Sequence, residues 1–236
     1  MAVVFLFMKF KEFNLDFTKY FTAYEELAGS VNKAFKQIAN DFPKEVNCRP
    51  GCSDCCHALF DLTLIEAIYI SKKFRETYTD DIKRHQIIDR AAAADREIYR
   101  LKKKAFDDQK NGASDIEIIG KMAMERVRCP LLNKNNECDL YEYRPLNCRV
   151  YGVPTETSGA SHICGRTGFV QGEKYPTIKM DRLYEYLYKI SSEMVKNMNT
   201  KFTRMGDMLM PVSMAIMTDF DDRYLGIEEP EKKAEE

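Results

Sequence analysis

The sequence predicts a mainly α fold. Apolar residues recur at three- and four-residue steps through most of the 236-residue chain, and hardly any segment alternates with period two. A third observation locates the centre of that fold. From residue 129 to about 177 the periodicity fades, and four prolines and five glycines mark a loop-rich stretch that also holds half of the cysteines. The expected architecture is a helical domain around a cysteine-rich, loop-rich core.

The elements follow in order. Met1 to Phe7 is an apolar run without a preceding positive residue or a small-residue cleavage site, so it reads as a poor signal peptide. A first strand, a hydrophobic arm or a start at Met8 all fit it. An N-terminal helix is expected over 14–41, where Phe17, Phe21, Tyr24, Leu27, Val31, Phe35 and Ile38 share one face and Pro43 ends the run. Thr63-Leu-Ile-Glu66 has the form of a capping box and opens a second helix through Ala67, Ile70 and Phe74. A third helix should start near Thr79 or Asp80 and end near Asn111-Gly112, and a fourth should run from Ser114 to Arg126. Asp181 begins another, through Leu187, Ile190 and Met194, as part of a C-terminal helical extension over 180–225. The methionine-rich stretch Met205 to Met217 should pack on the core, and 226–236 reads as a frayed tail. The whole, 1–236, is expected to be a single domain with its cysteine-cluster core over about 45–165.

Composition narrows the function. Net charge is −1 with both signs abundant, which gives no case for nucleic-acid or anionic-membrane binding. No stretch approaches the ~20 apolar residues a membrane span needs. The chain is therefore expected to be cytoplasmic. In that reducing compartment, eight cysteines point to metal binding or redox chemistry rather than to disulfides.

The cysteines fall into two groups. The first is Cys48-x3-Cys52-x2-Cys55-Cys56, followed by His57, with Pro50 and Gly51 turning the loop. A chain leaving one iron of a cluster reaches the next with two or three residues between. Radical S-adenosylmethionine enzymes share this spacing, but their βα barrel has no support here, because strand–helix alternation is missing. A c-type haem needs Cys-x-x-Cys-His, and the extra cysteine at 56 breaks that motif. Cys55 and Cys56, as neighbours, are expected to point apart, so Cys56 belongs to a second site or is a spare or reactive thiol. The second group is Cys129-Pro-Leu-Leu, Cys138, Arg144-Pro145-x2-Cys148-Arg149 and, further on, Cys164. Arg144 and Arg149 either offset thiolate charge or are solvated surface residues.

In this order and spacing the motifs resemble the YkgJ-type cysteine-cluster family, a zinc- or iron-chelating domain similar to the cysteine region of flagellin lysine N-methylases. The resemblance implies that Cys48, Cys52, Cys55, Cys56, Cys129, Cys138 and Cys148 bind metal, with Cys164 as a variable last ligand. It brings no defined reaction, although the methylases suggest a protein substrate or an accessory role in protein modification. Mixed spacings favour an iron–sulfur cluster, 4Fe-4S in type, over structural zinc, since zinc sites usually pair Cys-x2-Cys knuckles and only Cys52-x2-Cys55 has that form. The expected role is electron transfer or oxidoreductase-like chemistry with an unidentified protein or redox partner; the alternative is a structural-zinc binding module. His57 and His162 are candidate ligands or buried, capping histidines. The basic run from Arg96 to Lys104 is interleaved with acids and reads as a solvated helix face. The glycines from 165 to 172 match no phosphate-binding fingerprint and read as a structural loop.

Overall fold

A computed structural model describes residues 15–227. Among them it has eight α-helices and five strands of two or three residues, so the fold is mainly α. The apolar start and most of the charged tail lie outside the described residues.

Helix α1 (Thr18–Asp41) buries Tyr20, Phe21, Tyr24, Ala28, Val31 and Ile38, the stripe its spacing predicts. The Asp16 carboxylate accepts the Thr18 N–H at 2.8 Å and supplies the first turn with an acceptor. The Phe42 N–H closes the last turn on the Ile38 carbonyl at 2.9 Å, ahead of Pro43. Helix α2 (Leu64–Thr77) is buried on nearly every side and forms the centre of the molecule. It packs against α1, α6 (Met180–Asn197) and α7 (Val212–Met217). The expected capping box is present, and the Ser191 hydroxyl of α6 also accepts the Ile65 N–H at 3.2 Å.

Helix α3 (Asp81–Lys110) buries only Ile87, Ala91, Ala94 and Ile98, at four-, three- and four-residue steps. Its remaining faces are solvated, as the mixed charges predict, and Lys102 pairs with Asp61 at 2.7 Å. Helix α4 (Asp115–Met124) opens on a second capping box, Ser114 with Glu117, and buries none of its side chains. Helices α5 (Leu146–Val150) and α8 (Asp222–Leu225) are short.

The strands are too brief for alternation to show. β1 (Asp61–Thr63) and β5 (Leu209–Pro211) pair antiparallel, with Leu62 opposite Met210. β2 (Thr155–Thr157) lies between β3 (Ala160–His162), antiparallel to it, and β4 (Ile178–Lys179), parallel to it. The C-terminal elements are built into the core: Met210, Val212, Ala215, Ile216, Phe220 and Leu225 share a cluster with Phe17, Tyr24 and Ile68. Met214 is largely exposed, unlike the other methionines of that stretch. Gly226 and Ile227, where the tail was expected to fray, are held instead: Gly226 caps α8, and Ile227 bridges to Thr200.

Glu66 links the core to the loops. One carboxylate oxygen accepts the Thr63 N–H and hydroxyl, and the other accepts the Leu146 N–H at 3.0 Å, which caps the start of α5. Burial pushes this carboxyl above its ordinary 4.5, against the pull of its hydrogen bonds and of Arg149. A raised carboxyl contributes stability that is fully present below 4.5 and is lost as pH rises through the folded value. Glu66→Gln keeps one acceptor oxygen where two are used, so it is expected to cost about 1–3 kcal/mol near pH 4. The cost should shrink as pH rises, as measured by urea unfolding at pH 4 and pH 7.

Candidate metal centre

All eight cysteines are free thiols, and all eight line one cavity of about 580 Å3. Four stretches of chain deliver them, and backbone pairing explains how. Arg49 to Cys52 form a turn closed by the Cys52 N–H on the Arg49 carbonyl at 3.0 Å, with Pro50 at its second position and Gly51 at φ +84° in its third. That is a type II turn, which needs glycine there. Asp54–His57 form one 3-10 turn that carries Cys55 and Cys56.

The chain leaving α4 then runs beside this turn. Ala58 pairs with Arg126, the Val127 N–H donates to the His57 carbonyl, and the Cys129 N–H donates to the Cys56 carbonyl at 2.7 Å. Leu132 and Cys138 close a small hairpin over Asn133 to Glu137. Cys148 lies in α5. Cys164 sits in a loop tied back to the approach of Cys48: the Gly168 N–H donates to the Glu45 carbonyl at 2.8 Å, and the Asn47 amide donates to the Arg166 carbonyl at 2.9 Å.

Electrostatics raises most of the thiols. Burial pushes Cys48 and Cys138 up to about 11 and Cys129 up to about 12, and it holds Cys148 well above its ordinary value. Cys164 is raised as well, first by burial and then by the neighbouring Asp54 carboxylate. Cys55 differs. The adjoining Cys56 thiol lowers it, and Cys56 is raised in turn. Both cysteines line the same cavity. Among the described residues no three His, Cys, Asp or Glu side chains are gathered as a ready-made shell for one ion. The thiols line the cavity, and ligation requires them to draw closer together.

The two arginines part company. Arg144 lines the cavity, stacks on the Tyr141 ring at 3.9 Å and pulls the Cys48, Cys55, Cys138 and Cys148 thiols down. Arg149 is buried and donates to the Arg144 carbonyl (2.8 Å), the Glu142 carbonyl (2.6 Å) and Asn32 Oδ1 (3.2 Å). It braces the loop ahead of Cys148 and is no surface residue. Neither His57 nor His162 lines the cavity. His57 Nδ1 lies 3.0 Å from the Ser53 carbonyl, and His162 pairs with Thr155 in the small sheet.

A family model described as a putative zinc- or iron-chelating domain, CxxCxxCC, matches residues 47–165, half of the chain. The chain belongs to the CxxCxxCC family. No curated protein and no solved structure matches it. The matched stretch of this CxxCxxCC domain runs from Asn47, at the entry to the first cysteine loop, to Gly165, just past Cys164, and so contains every cysteine of the cavity. Three residues separate its first two cysteines where the family's name has two, and the turn at Pro50-Gly51 accommodates the addition.

Several residues at the site had no distinct signal in the sequence. Asp54 lines the cavity between Cys52 and Cys55 and pairs with Arg126 at 2.8 Å. Gly152 is buried against the Cys48 sulfur, and a Cβ there would lie 2.0 Å from that sulfur. Gly152→Ala is therefore expected to turn the Cys48 thiol out of place with little change in fold. Metal affinity should fall about 10–100-fold in a chelator competition, the range found when ligand support is disturbed. Unchanged affinity would show that Cys48 takes no part.

Proposed function

We propose that the CxxCxxCC domain holds an iron–sulfur centre in its thiol-lined cavity and works in electron transfer or an oxidoreductase-like reaction. The observation that carries this reading is the convergence of eight cysteines from four stretches of chain on one cavity. The donor set fits: sulfur-rich sites select zinc and iron–sulfur clusters over hard cations. The thiols available as ligands in this reading are Cys48, Cys52, Cys55, Cys56, Cys129, Cys138, Cys148 and Cys164. A bound cluster would supply reversible one-electron chemistry. The chain's own residues hold Arg144 against the thiolate charge and keep Cys148 in register through Glu66 and Arg149. Helices from both ends of the sequence share the main core, which supports a single domain.

Purification without oxygen tests the proposal. A brown protein with broad visible absorption and acid-labile sulfide in proportion to iron is the expected result. A colourless protein with stoichiometric zinc and no sulfide would overturn it in favour of a structural-zinc module.

A further inference from the structure

The eight thiols do not form one uniform ring. The inner module joins the turn at Cys55-Cys56 to the strand-like run at Cys129, the hairpin at Cys138 and helix α5 with Cys148. The outer module joins the Cys48–Cys52 turn to the Cys164 loop through two separate hydrogen bonds, Gly168 to Glu45 and Asn47 to Arg166. The modules meet at one side chain that is not a cysteine. Asp54 Oδ1 is held by Arg126 at 2.8 Å, with Arg166 at 3.8 Å, while Oδ2 faces the Cys164 sulfur at 3.7 Å. Arg126 also donates to the Tyr151 hydroxyl at 3.4 Å.

The neighbours within reach agree with the division. The thiols that act on Cys48 are Cys52, Cys164 and then Cys55, and those that act on Cys164 are headed by Asp54 and Cys52. Cys129 and Cys148 are each affected by Cys138 and Cys55. Cys48 is exposed and the other seven thiols are half-buried, with Cys129 and Cys138 packed against the main core.

We infer that the cavity holds two centres of different kind: an inner one on thiolates alone, and an outer one on Cys48, Cys52, Cys164 and the Asp54 carboxylate that takes a single divalent transition-metal ion. Three sulfurs and one oxygen suit a tetrahedral ion such as zinc or iron(II), for which both donor types are ordinary ligands. Arg126 fixes the carboxylate by one oxygen and leaves the other for the metal, as a supporting residue does. An ion held partly by the exposed Cys48 exchanges with solution faster than the inner centre.

This inference rests on the reading that the cavity binds metal, but not on the inner centre being iron–sulfur. The test uses the full chain, prepared without oxygen, with cobalt(II) as the probe because its thiolate charge-transfer and d–d bands report ligand type. A brief chelator wash followed by cobalt should load one equivalent per chain with the spectrum of a tetrahedral thiolate-rich site, leaving the tightly held metal in place. Asp54→Asn should shift those bands and weaken cobalt binding at least tenfold, and Cys164→Ser should do the same. The tightly held metal, and any acid-labile sulfide, should be retained in both variants. Loss of both metal populations together in either variant would overturn the two-centre division, and so would an Asp54→Asn spectrum identical to that of the unaltered chain. Absence of sulfide would sink the iron–sulfur reading alone, since the count of two populations does not depend on it.

Discussion

Cys148→Ser is expected to strip the tightly held metal and release the loops of 126–168 while the helical core stays folded. Cys148 is half-buried on α5, next to the buried Arg149, and lines the cavity with the thiols of the inner group. Serine keeps the shape, but its hydroxyl does not give up its proton as a thiol does, so the site loses a ligand. Metal-binding energy at such sites is folding energy, about 10–16 kcal/mol for structural zinc peptides. The segment concerned has little regular structure of its own: a hairpin, a five-residue helix and strands of three residues or fewer. Hydrogen exchange should therefore rise sharply across 126–168 and change little in α1, α2 and α6. Full metal content with unchanged exchange would remove Cys148 from the ligand set.

The second large effect is expected from Arg149→Met. Its guanidinium is buried with three hydrogen bonds, to the carbonyls of Glu142 and Arg144 and to the Asn32 side chain. It is also the cation that offsets the enclosed Glu66 carboxylate. Methionine fills a similar volume but leaves the carbonyls without donors and Glu66 without its counter-charge. Removing one member of such a buried set costs about 3–5 kcal/mol. Urea unfolding measures the loss, and metal content should fall with it because the same loop carries Cys148. Arg149→Lys should recover only part, since an ammonium cannot reproduce the planar fork that reaches three acceptors. A loss below about 1 kcal/mol would show that solvent replaces the guanidinium without difficulty.

Most of the helical framework was legible in the sequence because it depends on local rules. The stripe from Phe17 to Ile38, the capping box at Thr63 and the Asn111-Gly112 stop each act over a few residues, and the structure has all three. The strands were not legible, since pieces of two or three residues are too short for alternation to be visible. The cysteines were legible as a set, but their grouping was not. Sequence spacing cannot show that Cys48 belongs with Cys164 and Cys56 with Cys129, because hydrogen bonds between distant backbones fix both associations. Arg149 was ambiguous for the same reason: its partner Asn32 is 117 residues away. Asp54 gave no signal of its own, because an aspartate in a polar loop is ordinary until Arg126 and Cys164 are placed on either side of it.

The bond from the Cys129 N–H to the Cys56 carbonyl bears on how the chain folds. It closes a loop containing all of α2, α3 and α4, more than seventy residues. Helices form within about a microsecond, whereas a contact across so long a stretch must wait for the framework between its ends. During synthesis Cys48, Cys52, Cys55 and Cys56 therefore emerge long before Cys129, Cys138, Cys148 and Cys164, with which they share the cavity. The cavity is completed only by that long-range closure, so a metal that needs thiols from both halves of the chain is expected to enter at the end of folding.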